Sequence, residues 1–314
     1  MSAAAARYLA LRLARALLTA GLVVSLVFVL IRAVPGDPVD AICGEQAAPE
    51  DRAAVRKALH LDAPLSIQYL EFWRDVLDLS LGHSFQQPAL TVSARILDAL
   101  PATLELAVWA LTVAWCLAIP LGVLAAAQRG RALDRAASLL TLSGLALPTI
   151  WLGPLLILVF AVKLRLLPLP GDDANGGAAL ILPALTVGLA LSASLTRQTR
   201  AATLEVLGMP YIAAARARGL SMTVVLFKHA LRNALLPVIT LGAAQVSALL
   251  SGAVIAEKVF ERPGLGSLFL EAFFARDLPV VQGVVLFVGL IYVLVNLLLD
   301  LTYTLVDPRV RLSS

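Results

Sequence analysis

The sequence predicts an all-α polytopic membrane protein with six transmembrane helices, and three observations carry that expectation. Hydrophobic residues make up 60% of the 314-residue chain and charged residues only 15%, against about 45–50% and about 25% in ordinary soluble domains. The mean hydropathy is +0.87, more than the core of a soluble domain accounts for. Six apolar windows reach the roughly 20 residues that a helix needs to cross a hydrocarbon layer about 30 Å thick.

The first window runs from about Leu9 to Ile31, with Arg12 and Arg15 near its start, where long side chains can snorkel to the interface. Its basic beginning resembles that of a signal peptide. The chain then continues into IRAVPGDP with no small-residue cleavage site, so the window is expected to be a retained helix. The others are about Pro101 to Ala126, Ala136 to Val162, Ala179 to Thr196, Leu235 to Ala256 and Pro279 to Tyr303. Internal Pro120, Pro148, Pro154 and Pro183 do not veto these windows, because neighbouring helices can satisfy the freed backbone groups.

Four regions follow: 1–33 with the first helix, 34–98 as a small helical extracytoplasmic insertion, 99–306 as a core with five spans, and 307–314 as a tail. Within the insertion, APEDRAAVRKALHL places acids in a first turn and bases near the end, which suits the helix dipole. The following PLSIQYLEFWRDVL puts Ile67, Leu70, Trp73 and Leu77 on one stripe. It reads as a small cap packing on itself, as a partner surface or lip over a pore, or as both. A second outer segment, 257–282, contains the turn signal RPGLG.

Orientation follows from Lys and Arg in short loops. Arg7, Arg12 and Arg15 precede the first span, Arg129, Arg131 and Arg135 follow the second, Arg197 and Arg200 follow the fourth, and Arg309 and Arg311 end the chain. The opposite loops carry fewer, chiefly Lys163, Arg165, Lys258, Arg262 and Arg276. Both termini are therefore expected in the cytoplasm. In such a chain, basic residues orient helices rather than bind nucleic acid, so the formal charge of +4 implies no nucleic-acid partner. Three histidines and two cysteines are too few for a dense metal site. Cys43 and Cys116, expected outside the bilayer and within a span, read as inert thiols rather than a disulfide.

One apolar stretch cannot span. AAARARGLSMTVVLFKHALRNALLP, residues 213–237, holds Arg216, Arg218, Lys228 and Arg232, and each such charge costs roughly 2.5–3.5 kcal/mol at the bilayer centre. Pro210 suits a first helical position, Gly219 a left-handed stop and Ser221 an N-cap. The expected unit is a short Ala-rich helix, a Gly elbow, and an amphipathic helix with Leu220, Val224, Phe227, Leu231 and Leu235 on one stripe, running into the fifth span. It could lie on anionic lipid, serve as a solvated connector, or dock a cytoplasmic protein, and the small side chains of Ala213, Ala214, Ala215 and Ala217 would let the first helix sit closely in a groove.

This loop resembles the cytoplasmic coupling loop of binding-protein-dependent ATP-binding cassette permeases, most closely their dipeptide/oligopeptide/nickel subfamily. The family's Glu-Ala-Ala, three residues, Gly, and later Leu-Pro pattern stands here as Ala213, Ala214, Ala215, then Gly219, then Leu236 and Pro237. Ala213 replaces the Glu, and Leu-Pro comes later than in the sugar importers of the family; both look like features of the peptide branch. FVLIRAVPGDPV, LHLDAPLSIQYLEFW, LSLGHSF, LPATLELA, IPLGVLAA, LPTIWLG, ILPALTVGLALSASLTRQTRAATLEVL, EKVFERPGLGSLFLEAFFARDLPVVQG and VNLLLDLTYTLVDPRVR are similar too, in family order over nearly the whole chain.

The resemblance implies a type I ABC importer permease fold in a bacterial inner membrane, with the coupling loop at about 203–235. The implied ATPase contact comprises Tyr211, Ala213, Ala214, Ala215, Arg216, Ala217, Arg218, Gly219, Leu220 and Ser221. Implied partners are a homologous second permease, two ATP-binding cassette ATPases, an extracytoplasmic substrate-binding protein and the lipid bilayer. The implied cargo is di- or oligopeptides, with nickel-chelates, glutathione or other small solutes behind them. The chain carries no G-x-x-x-x-G-K-[ST] phosphate loop, so no cofactor and no enzymatic activity are expected in it; ATP and Mg belong to the ATPases.

An ion-driven secondary transporter is the competing reading, but it would favour acidic or His relays in mid-span and internal repeats, and neither is visible. An intramembrane enzyme would need clustered His, Asp or Ser/Lys groups within spans. The polar residues in or near spans are Glu105, Thr112, Ser143, Thr149, Ser192, Gln245, Ser247, Asn296 and Asp300, and none is assigned to a substrate.

Overall fold

The computed structural model describes residues 3–33, 38–44, 47–171 and 173–306. Among them, regular structure is helical apart from an isolated bridge between His83 and Thr91. Thr149–Lys163 follows Ala132–Gly144 at a bend of 103°; five other helices, Leu11–Ala33, Val92–Ala127, Gly176–Leu207, Met222–Val246 and Leu278–Leu298, are long and apolar enough to cross a membrane, and the bent pair makes a sixth if it is one span. The chain forms two compact units, one joining everything up to Ala102 with everything from Pro263 onward, the other Thr103–Arg262.

The first unit contains α1 (Ala3–Ala33), α2 (Pro38–Cys43), α3 (Pro49–Ala58), α4 (Leu65–Leu77), the start of α5 (Val92–Ala127), α12 (Leu265–Phe274) and α13 (Leu278–Val306). Helix α1 packs on α13, with Val24, Val27 and Phe28 buried against Leu286 and against Phe72 of α4. The outward face of α1 is as apolar as its inner one: Leu17 and Leu18 are 67% and 66% exposed. A helix that is hydrophobic all round belongs in a bilayer rather than in water. Val92 and Ile96 of α5 join Leu265, Leu268, Val280 and Val284 in a second cluster.

Asp277, 1% exposed, ties this cluster to the loop before α5. Ser84 Oγ donates to its Oδ2 (2.5 Å), the Phe85 N–H to its Oδ1 (2.9 Å), and Arg95 pairs with it at 3.3 Å. Three donors on one carboxylate satisfy a group that would be costly to bury alone.

Helix α3 forms as expected, with Glu50 and Asp51 in its first turn and Arg56 and Lys57 in its last. Of the stripe expected on α4, only Trp73 packs inward. The packed side of the helix is Tyr69, Phe72, Trp73 and Val76, at i, i+3, i+4 and i+7, whereas Ile67, Leu70 and Leu77 are exposed. Two apolar stripes compete on this helix, and the aromatic one wins because it buries more area; Phe28 meets Tyr69 edge-on with ring centroids 5.0 Å apart. Helix α12 lies in the second outer segment, directly after the Pro263–Gly264 turn.

The second unit holds the rest of α5, α6 (Ala132–Ala146), α7 (Thr149–Leu156), α8 (Ile181–Leu207), α9 (Pro210–Ala217), α10 (Met222–Val224) and α11 (Leu231–Val259). The third expected window is not one straight helix, because α6 and α7 meet at that 103° bend. Proline steers the residue before it out of the helical region, and Leu147, just before Pro148, is extended at φ −81° and ψ 117°. Pro154 then interrupts the hydrogen-bond ladder inside α7, and π-helical turns follow at Ile157–Lys163.

Small residues let the helices of this unit approach closely. A Cβ on Gly188 of α8 would stand 2.7 Å from Val113 Cβ and 2.8 Å from the Ala110 carbonyl oxygen of α5. One on Gly122 would stand 2.6 Å from Thr199 Cβ.

Candidate functional site

The charged loop folds as a helix, an elbow and a second helix. Met209 is extended, Pro210 opens α9, and the helix ends in a left-handed Gly219 with φ +76°. The Gly219 N–H donates to Arg216 O (2.9 Å) and the Leu220 N–H to Ala215 O (3.4 Å), the paired bonds of a Schellman stop. Only glycine takes that φ freely, so Gly219→Val is expected to strain the elbow by about 1–2 kcal/mol. Transport falling in step with the thermal stability of the purified chain would check this.

Ser221 occupies the N-cap position of α10 with extended φ and ψ, but its side chain makes no capping hydrogen bond. From there α10, the π-helical turns Val225–Ala230 and α11 follow one another without a break. The charged segment is therefore continuous with the fifth apolar helix, and the stretch long and apolar enough to cross begins at Met222 and takes in Lys228 and Arg232, earlier than the window expected from Leu235.

The two faces of α9 differ. Ile212 and Ala215, 0% and 8% exposed, pack on Ala202 and Val206 of α8 and on Val225, Ala230 and Ala234 of the second helix. Tyr211, Ala213, Ala214, Arg216, Ala217, Arg218, Gly219, Leu220 and Ser221 are exposed. Of the small side chains expected to admit a partner, Ala213, Ala214 and Ala217 face outward, while Ala215 belongs to the internal anchor. Asn233 Nδ2 donates to the Tyr211 hydroxyl at 2.6 Å, a second link from α9 to α11.

The stripe expected on the second helix is also out of phase. Leu220, Val224 and Phe227 are exposed and Leu231 and Leu235 half-buried, whereas Val225, Leu226, Ala230, Ala234 and Val238 are buried. A π-helical turn closes i to i+5 rather than i to i+4, which rotates every later side chain. The alanines also permit closer backbone approach than leucines would. Lys228 and Arg232 remain exposed.

A clamp in the same unit escaped the sequence reading. Arg200 of α8 grips Asp134 of α6 through two bonds, Nε to Oδ1 at 2.6 Å and Nη2 to Oδ2 at 2.9 Å, and the Gly130 N–H donates to Oδ2 at 2.8 Å. The Asp134 side chain is only 7% exposed. Two-point binding fixes direction as well as distance. Sequence offered no signal for a pair 66 residues apart beyond one acid in a basic loop. Arg200→Asp is expected to lower both thermal stability and transport, and Asp134→Arg in the same chain to restore a substantial part of each; failure of the double variant to exceed either single one would count against the clamp.

The polar residues expected in or near spans mostly serve the helices themselves. Thr112 and Ser192 donate to the carbonyl oxygens of Val108 and Leu189, and Asn296 to that of Tyr292. Gln245 Nε2 donates to Leu191 O (3.1 Å) and Ser194 Oγ (2.8 Å), binding α11 to α8. Exposed Glu105 pairs with Arg262 at 2.7 Å. Thr149 begins α7, Ser143 is exposed, and Ser247 and Asp300 lie outside the described side chains. Glu257, fully buried, accepts from Thr103 Oγ1 at 2.5 Å. Cys43 and Cys116 are both free, and among the described residues no three His, Cys, Asp or Glu side chains gather as metal ligands would.

Comparison with known proteins adds to this geometry. Residues 118–312 match the family model described as the binding-protein-dependent transport system inner membrane component, and residues 5–107 match the model for the N-terminal part of such membrane components. The dipeptide transport system permease protein DppB of Escherichia coli K12 is 40% identical over 316 residues, covering 91% of this chain and 93% of that protein. A putative peptide transport system permease protein of Brucella abortus is 40% identical over 308 residues, 96% of this chain and 97% of its own. The di/tripeptide transport system permease protein DppB of Pseudomonas aeruginosa is 38% identical over 313 residues, 91% and 93% of the two chains. The chain, with its long apolar helices and its charged helix–elbow–helix, belongs to the family of inner-membrane permease components of binding-protein-dependent transport systems.

Proposed function

We propose that this chain is the membrane-spanning subunit of an ATP-driven importer of di- and oligopeptides. It forms the translocation pathway with a homologous second permease, receives substrate from an extracytoplasmic binding protein, and docks one cytoplasmic ATPase while the second permease docks the other. It spans the inner membrane six times, with α6 and α7 as one broken span. Both termini and the 203–235 loop face the cytoplasm, and the 34–98 insertion lies on the outer side. Catalysis of ATP hydrolysis, with its Mg, belongs to the partner subunits. Relatives named for dipeptide, di/tripeptide and peptide transport support the cargo class; nickel-chelates stand behind peptides.

The observation that carries the coupling role is the division of α9. Ile212 and Ala215 fasten it to the helix that continues into the fifth span, and the outward Ala213, Ala214 and Ala217 leave a face that a groove can accept at close range. Push on such a helix is transmitted because its anchor is packed and hydrogen-bonded rather than loose. The exposed bases beside it favour an acidic partner rim or an anionic lipid surface, and docking accounts for the small face where lipid binding does not.

Purification from native membranes tests the assignment. An ATPase and a second permease of similar size are expected to come down with the tagged chain, and the reconstituted complex to accumulate dipeptides only with ATP. Accumulation driven by an ion gradient without ATP would replace this reading with a secondary transporter.

A further inference from the structure

A cavity of about 700 Å³ lies within the first unit, between the end of α1, the α3–α4 hairpin, the loop before α5 and the start of α13. That volume falls in the range of small-molecule sites, roughly 300–1,000 Å³. Its polar lining is partly committed. Arg32 donates to Gln68 Oε1 (2.9 and 3.2 Å), donates to Phe28 O and lies over the Phe28 ring, and His60 pairs with Glu71 at 3.2 Å.

Two groups on the wall are left over. Asp75 has no hydrogen bond to its carboxylate among the described residues. Burial first, and then the charges of Asp78 and Glu71, hold its carboxyl above the usual carboxylate range, with His83 and Arg74 offsetting part of this. The environment thus favours arrival of a positive charge. Gln282, 7% exposed, has a buried Nε2 with no hydrogen-bond partner among the described residues, and a buried donor of that kind costs about 1–3 kcal/mol until it finds an acceptor. Gly82 stands at φ +82°, and a Cβ there would come 3.2 Å from Asp75 Oδ2. The glycine leaves the carboxylate uncovered.

We propose that this cavity binds a small molecule carrying an α-ammonium group beside a carbonyl, the N-terminal end of a short peptide or of an amino acid, with Asp75 and Glu71 holding the ammonium and the Gln282 amide donating to the carbonyl. Arg32 and Arg56 also line the cavity, which suits the carboxylate of a zwitterion. No lining residue belongs to α9, so the proposal holds or fails independently of the coupling role.

Calorimetric titration of the full chain in lipid nanodiscs, without ATPases, tests the site with alanyl-alanine, alanine, N-acetyl-alanyl-alanine and ethylamine. Saturable binding of alanyl-alanine, alanine or both is expected; which of them binds more tightly identifies peptide or amino acid as the source. Acetylation is expected to weaken binding at least about tenfold, and Asp75→Asn about ten- to a hundredfold, as loss of a charge-assisted hydrogen bond implies. Should that variant not fold, Gln282→Leu, of similar volume, is expected to weaken binding about three- to tenfold. Absence of saturable binding, equal binding of the acetylated peptide, equal binding of ethylamine, or indifference to both substitutions overturns the proposal.

Discussion

Ala214→Glu is expected to lower ATP-driven uptake by roughly a hundredfold or more, the size of effect that loss of a central contact produces at an interface, while the chain stays folded. Ala214 is exposed on α9 and contributes nothing to the internal cluster, so the chain itself has no reason to unfold. A groove that accepts a methyl group at close range has no room for a carboxylate and no means of solvating it. ATPase activity of the partner subunits should persist and lose its dependence on loaded binding protein. The neighbouring substitution gives the opposite pattern. Ala215→Glu would force a charge among Ala202, Val206, Ile212, Val225, Ala230 and Ala234, and loss of folded chain is expected before any question of docking arises. Uptake, together with the yield of monodisperse protein, separates the two.

Gly188→Val is expected to have the largest effect on stability. The atoms that its Cβ would meet, Val113 Cβ and the Ala110 carbonyl oxygen, belong to or sit beside the α5 backbone and cannot turn aside. Even Gly188→Ala overpacks by an amount on the order of 1–3 kcal/mol, and valine adds two methyl groups to the same gap. The distance alone would point to Gly242 instead, where a Cβ would lie 2.1 Å from Trp115 Cζ2. That atom is at the far end of a side chain that can move, so Gly242→Ala is expected to cost less than Gly188→Ala. Gly177, with nothing within 4 Å, is the neutral control. Apparent melting temperatures of the three alanine variants in detergent should fall in the order Gly177, Gly242, Gly188.

Hydropathy made the long helices legible because lipid-facing residues such as Leu17 and Leu18 must be apolar whatever the packing inside. The Gly219 elbow was legible because a positive φ restricts the residue type so strongly. Phase was not. On α4 two stripes were available, and sequence alone does not say that aromatics would take the inner one. On α10 and α11 the buried line runs through Val225, Leu226, Ala230, Ala234 and Val238, beside the stripe that counting by 3.6 picks out, and Leu220, Val224 and Phe227 are left exposed. The break at Leu147–Pro148 was written in the sequence, yet proline tolerance inside membrane bundles made a continuous span equally readable. Asp134–Arg200 depends on topology that no local window contains. In the charged loop the helix–elbow–helix was legible, but the division of α9 into an anchor through Ala215 and an outward face through Ala214 required the fold.

The most direct measurement is site-specific photo-crosslinking in the assembled complex. With a photoreactive side chain at Ala214, the main adduct is expected to be the ATP-binding subunit, and the same group at Leu18, on the outward apolar face of α1, should give none. An Ala214 probe that labels only lipid, in a complex shown to contain the ATPase, would contradict α9 as the coupling contact.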